Sequence, residues 1–251
     1  MTQQTLNYDH APLISSRFIW KLTAAIALVC ALIVAISVAG RIIGRSIVMA
    51  GHTTDTSLRE IVIGNDVLML PANVIRFESQ RVSGVQKSVD TYFVWPGMNG
   101  YSQDRQQVFN QTESADGLIF ASVSLSTMAK DMSGRFTPIY RRLVTGAPVP
   151  GPAGLDSWRL KPGAGYTNEL LYADRTGGAE PYVVRCLIDD TTVDHDFITR
   201  TGCQRDIALG ADLSVSYRFA VELLPHWREI ESDVRATFDA ALISPSPATR
   251  P

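Results

Sequence analysis

The amino-acid sequence predicts a mainly β (α+β) protein. An N-terminal transmembrane helix comes first, then an antiparallel β-sandwich-like domain with a short middle helix and a C-terminal helix. Three observations carry this. An uncharged apolar run stands near the start, alternating segments separated by turn residues fill most of the rest, and a stripe at helical spacing closes the chain. The implied organisation is a disordered cytoplasmic tail over residues 1–16, the span and its flanks over 17–45 and a linker over 46–57. A β-rich domain over 58–243 and a disordered tail over 244–251 follow.

The span is the first element. From Leu22 to Gly40 no charged residue occurs. Adding Phe18, Ile19 and Trp20 gives a stretch of about 23 residues, or about 33 Å as a helix, enough for a hydrocarbon core of about 30 Å. Lys21 interrupts it only at the edge, where its stem snorkels, and Trp20 suits the interfacial aromatic belt. A cleaved signal peptide competes, with Ser37-Val38-Ala39 as a small-residue exit, but the run exceeds the roughly 7–15 apolar residues usual there. A buried core helix would keep a polar face, and this stretch has none. Ala27, Ala31, Ala35 and Ala39 recur every four residues, and Gly40 and Gly44 follow at the exit. A stripe of small residues lets two such helices approach, so helix packing and a homodimer through the span are one reading; a chance recurrence of alanine, common in such spans, is the other.

Charge alone does not orient the span. Arg17 and Lys21 favour an inside N-terminus, while Arg41, Arg45 and Arg59 argue the other way. Cysteines add a second signal. Cys30 lies in the span, leaving Cys186 and Cys203 as the only pair in the soluble part. Both sit in apolar, strand-like text joined by a polar loop, so a disulfide across a hairpin, and an oxidising compartment, are expected. Two free thiols in a cytosolic domain stay open as the alternative.

The strands follow in order. Glu60–Ile63 and Val67–Leu70 flank Gly64-Asn65-Asp66 and read as a hairpin, ended by Pro71. Val74–Phe77 reads as a short separate piece. Ser88–Trp95 alternates with Val89, Thr91, Phe93 and Trp95 on one face, and Leu118–Thr127 with Ile119, Ala121, Val123 and Leu125. Met132, Phe136, Ile139, Tyr140 and Leu143 are spaced for a short helix that Gly134 and Pro138 weaken. Pro148–Pro152 reads as a loop. Strands are expected at Leu155–Leu160, Glu169–Ala173, Tyr182–Ile188, Cys203–Leu209 and Leu213–Leu223. A final helix from about Pro225 to Leu242 carries Trp227, Ile230, Val234, Phe238 and Ala241 on one stripe, which packs on the sheet.

Composition narrows the chemistry. The formal net charge is −2 with both signs mixed along the chain, which excludes nucleic acid as the main partner. Charged residues are 19% of the chain and mean hydropathy is +0.04, high for a protein that is soluble throughout. His10, His52, His195 and His226 are scattered, without a metal-ligand spacing. The acidic run Asp189 to Asp196 lacks the order of a calcium loop and reads as a solvated hairpin loop. No GxSxG or Walker text occurs, and Gly163-Ala164-Gly165 opens a GxGxxG that is not completed and precedes a strand. No catalytic residue, metal or cofactor is assigned. Asn110-Gln111-Thr112 fits a glycosylation sequon, relevant only in a eukaryotic secretory pathway. The most distinctive local text, Trp95-Pro96-Gly97-Met98-Asn99-Gly100-Tyr101, offers two readings. Trp95 and Tyr101 form a binding lip for a peptide or sugar, or they plug the end of the sandwich.

One resemblance covers nearly the whole chain. The anchor is followed by Gly51-His52-Thr53, Val62-Ile63-Gly64 and Ala72-Asn73-Val74-Ile75-Arg76-Phe77. Trp95 to Ser102 and Tyr217-Arg218-Phe219 come after. In that order these segments resemble a family of alphaproteobacterial single-pass proteins described only as transmembrane anchored proteins. The resemblance implies an inner-membrane protein with its domain in the periplasm, and no activity. The expected partners are the lipid bilayer and an envelope protein, and the expected role is non-enzymatic binding or assembly. The alternative is a membrane-tethered hydrolase or transferase acting on an envelope polymer, with loop groups such as Asp194 and His195 in its site.

Overall fold

The computed structural model describes residues 16–49, 51–110, 117–187 and 202–243. The acidic run 189–196, both terminal tails, His10 and the last two sequon residues lie outside them. The chain divides into two compact units, Met1–Ala50 and Gly51–Pro251.

The first unit is one helix, α1 (Ser16–Met49). Its apolar stretch Arg17–Val38 is long enough to cross a membrane, and none of it is buried. The hydroxyl of Thr23 donates to the Ile19 carbonyl at 3.0 Å, which satisfies it without water. The helix runs four residues into the expected linker. No proline stops it there, and Gly44 costs a helix only about 1 kcal/mol.

The second unit holds two sheets over a shared core. β1 (Leu58–Ile63) and β2 (Asp66–Pro71) form the expected hairpin, with Ile63 opposite Asp66, so the turn is Gly64-Asn65 alone. Gly64 has φ 61°, a left-handed conformation that glycine takes without strain, and a Cβ there would push on the Leu125 side chain at 2.5 Å. β3 (Gly84–Val85) joins β1 in parallel, and the last strand of the domain, Leu242–Ile243, joins β2. Val74–Phe77 forms no full strand: a 3₁₀ turn, Ala72–Val74, leads to a single bridge between Ile75 and Thr91.

The large sheet contains β4 (Ser88–Val94), β5 (Leu118–Leu125), β6 (Val144–Pro150) and β7 (Leu155–Leu160). It also contains β8 (Glu169–Asp174), β9 (Val183–Leu187), β10 (Cys203–Leu209) and β11 (Leu213–Phe219), all paired antiparallel. Its order is β4-β5-β11-β10-β9-β8-β7-β6. Cys186 and Cys203 face one another across β9 and β10 and are joined as a disulfide. Two expectations move. Pro148 and Pro150 lie in β6, not in a loop; as an edge strand it tolerates residues without an N–H on its open side. The strand after Leu213 stops at Phe219, because Val221–His226 coils into a 3₁₀ helix around Pro225.

Helices complete both faces. α2 (Gln106–Asn110) lies in the β4–β5 connection. α3 (Met132–Arg135), a widened π turn (Phe136–Tyr140) and α4 (Arg141–Leu143) make up the middle helix. Pro138 has no N–H to donate into it, and Arg141 instead reaches back to the Phe136 carbonyl. Its Met132, Phe136 and Tyr140 pack on Leu171, Ala173 and Val183 of the outer face. The terminal helix α5 (Trp227–Ala241) buries the stripe read from the sequence. With β1 and β2 it covers the inner face of the large sheet, including Val123, Ile207, Val215 and Phe219.

Candidate functional site

Strand alternation sends Val89, Ala121, Val123, Val215 and Ile207 inward and sets small polar residues on the outer face. Register then lines these up across four strands. One row is Ser88, Ser124, Ser214 and Ala208; the next is Asp90, Ser122, Ser216 and Asp206. The middle helix covers the far end of this face and leaves these rows open. A cleft of about 460 Å³ results, with Ser124, Ser214, Ser216 and Asp206 in its floor. Its walls are the segment from Ser126 to Asp131 and the β10–β11 turn at Asp212, tied together by Ser126 N–H donating to the Asp212 carbonyl at 2.7 Å.

The cleft lining is slightly acidic, with Lys130 and Arg135 against Asp131, Asp206 and Asp212. Arg135 pairs with Asp206, and Asp131 caps α3 by accepting from Gly134 N–H at 3.0 Å. The Ser216 hydroxyl accepts from Gln204 at 3.2 Å, whereas that of Ser214 bonds to no described protein group. Leu125 and Met128 stand exposed at the rim. The arrangement offers hydroxyls on a floor of small side chains, apolar side chains at the edge and an ion pair in the wall. Such a face accepts hydrogen bonds and shape from a partner. Among the described residues no three His, Cys, Asp or Glu side chains converge as a metal site.

Beneath the cleft a buried network fixes α3 and α5 to the sheet. β9 and β10 pair over two residues only, and α3 packs against both strands. Arg205, 2% exposed, donates to both Glu231 oxygens at 2.9 Å, to the Val183 carbonyl at 2.7 Å and to Ser133 Oγ at 3.0 Å. Glu231 also accepts from Tyr217 at 2.5 Å and from Arg235 at 2.8 Å. Burial pushes the Glu231 carboxyl up, but Arg205, Tyr217 and Arg235 outweigh it and hold it below its ordinary value.

The residues singled out in the sequence fall elsewhere. Trp95 is partly buried, and its indole N–H donates to Asp233 of α5 at 2.9 Å. Tyr101 is 1% exposed and stacks on the His52 ring at 4.6 Å, so the two aromatics make no shared lip: one packs toward α5, the other into a cage. In that cage Tyr92 and Asn110 approach the two His52 ring nitrogens at 3.0 and 3.1 Å, and Phe109 adds an edge. Burial, against the Asn110 bond, lowers the His52 pKa, and burial pushes the Tyr92 hydroxyl up to about 12. His226 bonds Glu229 at 2.9 Å on the surface. Gly163 leads into β8 and opens no helix. Ala27, Ala31 and Ala35 are exposed along α1. Asp194 and His195 lie outside the described residues.

No protein-family model matches the chain, and no curated protein matches it. Two solved structures are similar. One is Smlt3025, an immunity protein of the Stenotrophomonas maltophilia type IV secretion system, at TM-score 0.51 and 15% identity over 77% of this chain and 96% of that one. The other is the Neisseria meningitidis iron-regulated outer membrane lipoprotein FrpD, at TM-score 0.43 and 9% identity over 75% and 98%. The first likeness shows a shared fold. The second supports no argument.

The serine rows were half visible in advance. Their alternation stood in the text of β5 and β11, but no sequence signal said that these strands are neighbours.

Proposed function

We propose that this chain is a single-pass envelope protein of the bacterial inner membrane whose domain, in the periplasm, is a non-enzymatic binding module. The observation that carries the binding reading is the open serine floor between Leu125, Met128 and the Arg135–Asp206 pair, with a free hydroxyl at Ser214. The partner in this reading is a protein, since exposed apolar side chains at the rim, hydroxyls on the floor and an ion pair give the mixed polarity of protein interfaces. Support for the envelope comes from the apolar helix α1 and from the disulfide, which needs an oxidising compartment. The fold shared with an immunity protein supports a binding role by analogy alone.

The test places a photo-crosslinking residue at Ser214 of the full chain in native membranes, with the same residue at exposed Val149 as control. A discrete adduct from Ser214 and none from Val149 is expected. Ser216→Trp, which fills the floor, should abolish that adduct with the melting temperature unchanged. Adducts of equal yield from both positions, or one that survives Ser216→Trp, overturn the reading.

A further inference from the structure

A second surface lies beside the point where the chain enters the domain. His52 is the first caged residue, and only Ala50 and Gly51 separate it from the end of α1. The β4 strand that supplies Tyr92 to this cage also holds the segment running from Arg76 to Lys87. Arg76 N–H donates to the Asp90 carbonyl at 2.8 Å, and the Gln80 side chain bonds Asp90 at 2.9 Å. Arg81 donates to the carbonyls of Ile75 and Arg76, each at 3.0 Å. Through Asp90 and Tyr92 the segment is joined to the same strand that holds His52.

This segment shows apolar side chains to solvent, and the Arg76 guanidinium lies over the Phe77 ring at 5.1 Å. Val85 is 84% exposed, Val82 59% and Phe77 45%. Val85 belongs to β3, a two-residue edge strand. Arg76, Arg81 and Lys87 stand against Glu78 alone, a net charge of +2 within the segment (three basic minus one acidic). Exposed valines and a phenylalanine among cations are what a surface needs to sit at an anionic lipid interface: the rings and methyls enter the headgroup boundary while the cations meet phosphates.

We propose that the segment Arg76–Lys87 is a second membrane contact, resting on the anionic headgroups of the bilayer that α1 crosses. This rests on the reading of α1 as an anchor. A single such segment binds lipid weakly by itself, but tethering converts its contact into an intramolecular one at high effective concentration.

The test uses the full chain in vesicles, in a Cys30→Ser background, with Val85→Cys carrying an environment-sensitive fluorophore and Val149→Cys as control. Nitroxide-bearing lipids in phosphatidylglycerol vesicles should quench the probe at residue 85 at least about threefold more than at residue 149. Lys87→Glu, or vesicles of phosphatidylcholine alone, should lower that difference. Equal quenching at both positions, in protein that resists an alkaline carbonate wash, overturns the contact and leaves the anchor standing. Loss of the protein in the wash overturns the anchor, and the contact with it.

Discussion

Arg205 and Glu231 show what a single position contributes here. Arg205 is buried with its donors met by a carboxylate, a carbonyl and a hydroxyl, so removing the carboxylate charge leaves an uncompensated cation in the core. Glu231→Gln is expected to cost about 3 kcal/mol, or roughly 10 °C in Tm, by thermal unfolding. The pH dependence has a definite sign. The folded carboxyl titrates below its ordinary 4.5, so its stabilisation is full above about that pH and is lost as pH falls through the lower folded value. Glu231→Gln should therefore flatten the stability profile on the acid side of 4.5. Arg205 occupies an inward position between Cys203 and Ile207, and alternation alone reveals that much. Its partner 26 residues away on α5 is not legible, because nothing in a helix stripe says which strand it will meet. The His52 cage has the same character: Tyr92, Tyr101 and Phe109 converge from separate segments.

At the scale of elements, alternation and turn residues located most strands, with β7 and β10 as read. β6 was missed. Its prolines suppress strand propensity, and its pairing with β7 is carried at either end of a register shift between Thr145 and Val149. That composition has a use. β6 ends the large sheet with its side chains largely exposed, and Pro148 and Pro150 remove donors that another chain would pair with. Pro148→Thr with Pro150→Thr should leave the monomer folded but raise the fraction of soluble aggregate on incubation near Tm, read by light scattering. An unchanged aggregate fraction would mean the edge is protected by other means. The disulfide works at the middle of the sheet order, clamping β9 to β10 where they pair over only two residues. With its cysteines 17 residues apart, reduction should cost about 3 kcal/mol, measured by denaturant unfolding with and without reductant.

For the molecule as a whole, the two units pose separate questions of energy. The domain gathers its core from residues beyond Gly51, and every described side chain of α1 from residue 17 to 38 is exposed. In water such a helix would present an apolar surface well beyond the few hundred Å² that soluble monomers tolerate, which is the physical ground for the proposed anchor. Length and the absence of charge made this legible from sequence; the side of the membrane was not, because the flanking arginines fall on both ends. The proposed periplasmic placement rests on the disulfide, since a cytoplasmic thiol pool would keep Cys186 and Cys203 reduced. The full chain should therefore stay with membranes in alkaline carbonate. A membrane-impermeant protease added to spheroplasts should degrade the domain and leave a short fragment holding α1. In non-reducing gels Cys186→Ser should abolish the mobility difference that reductant produces. A domain protected in intact spheroplasts, with both thiols free to alkylate after lysis, would place it on the cytoplasmic side and remove the periplasmic reading.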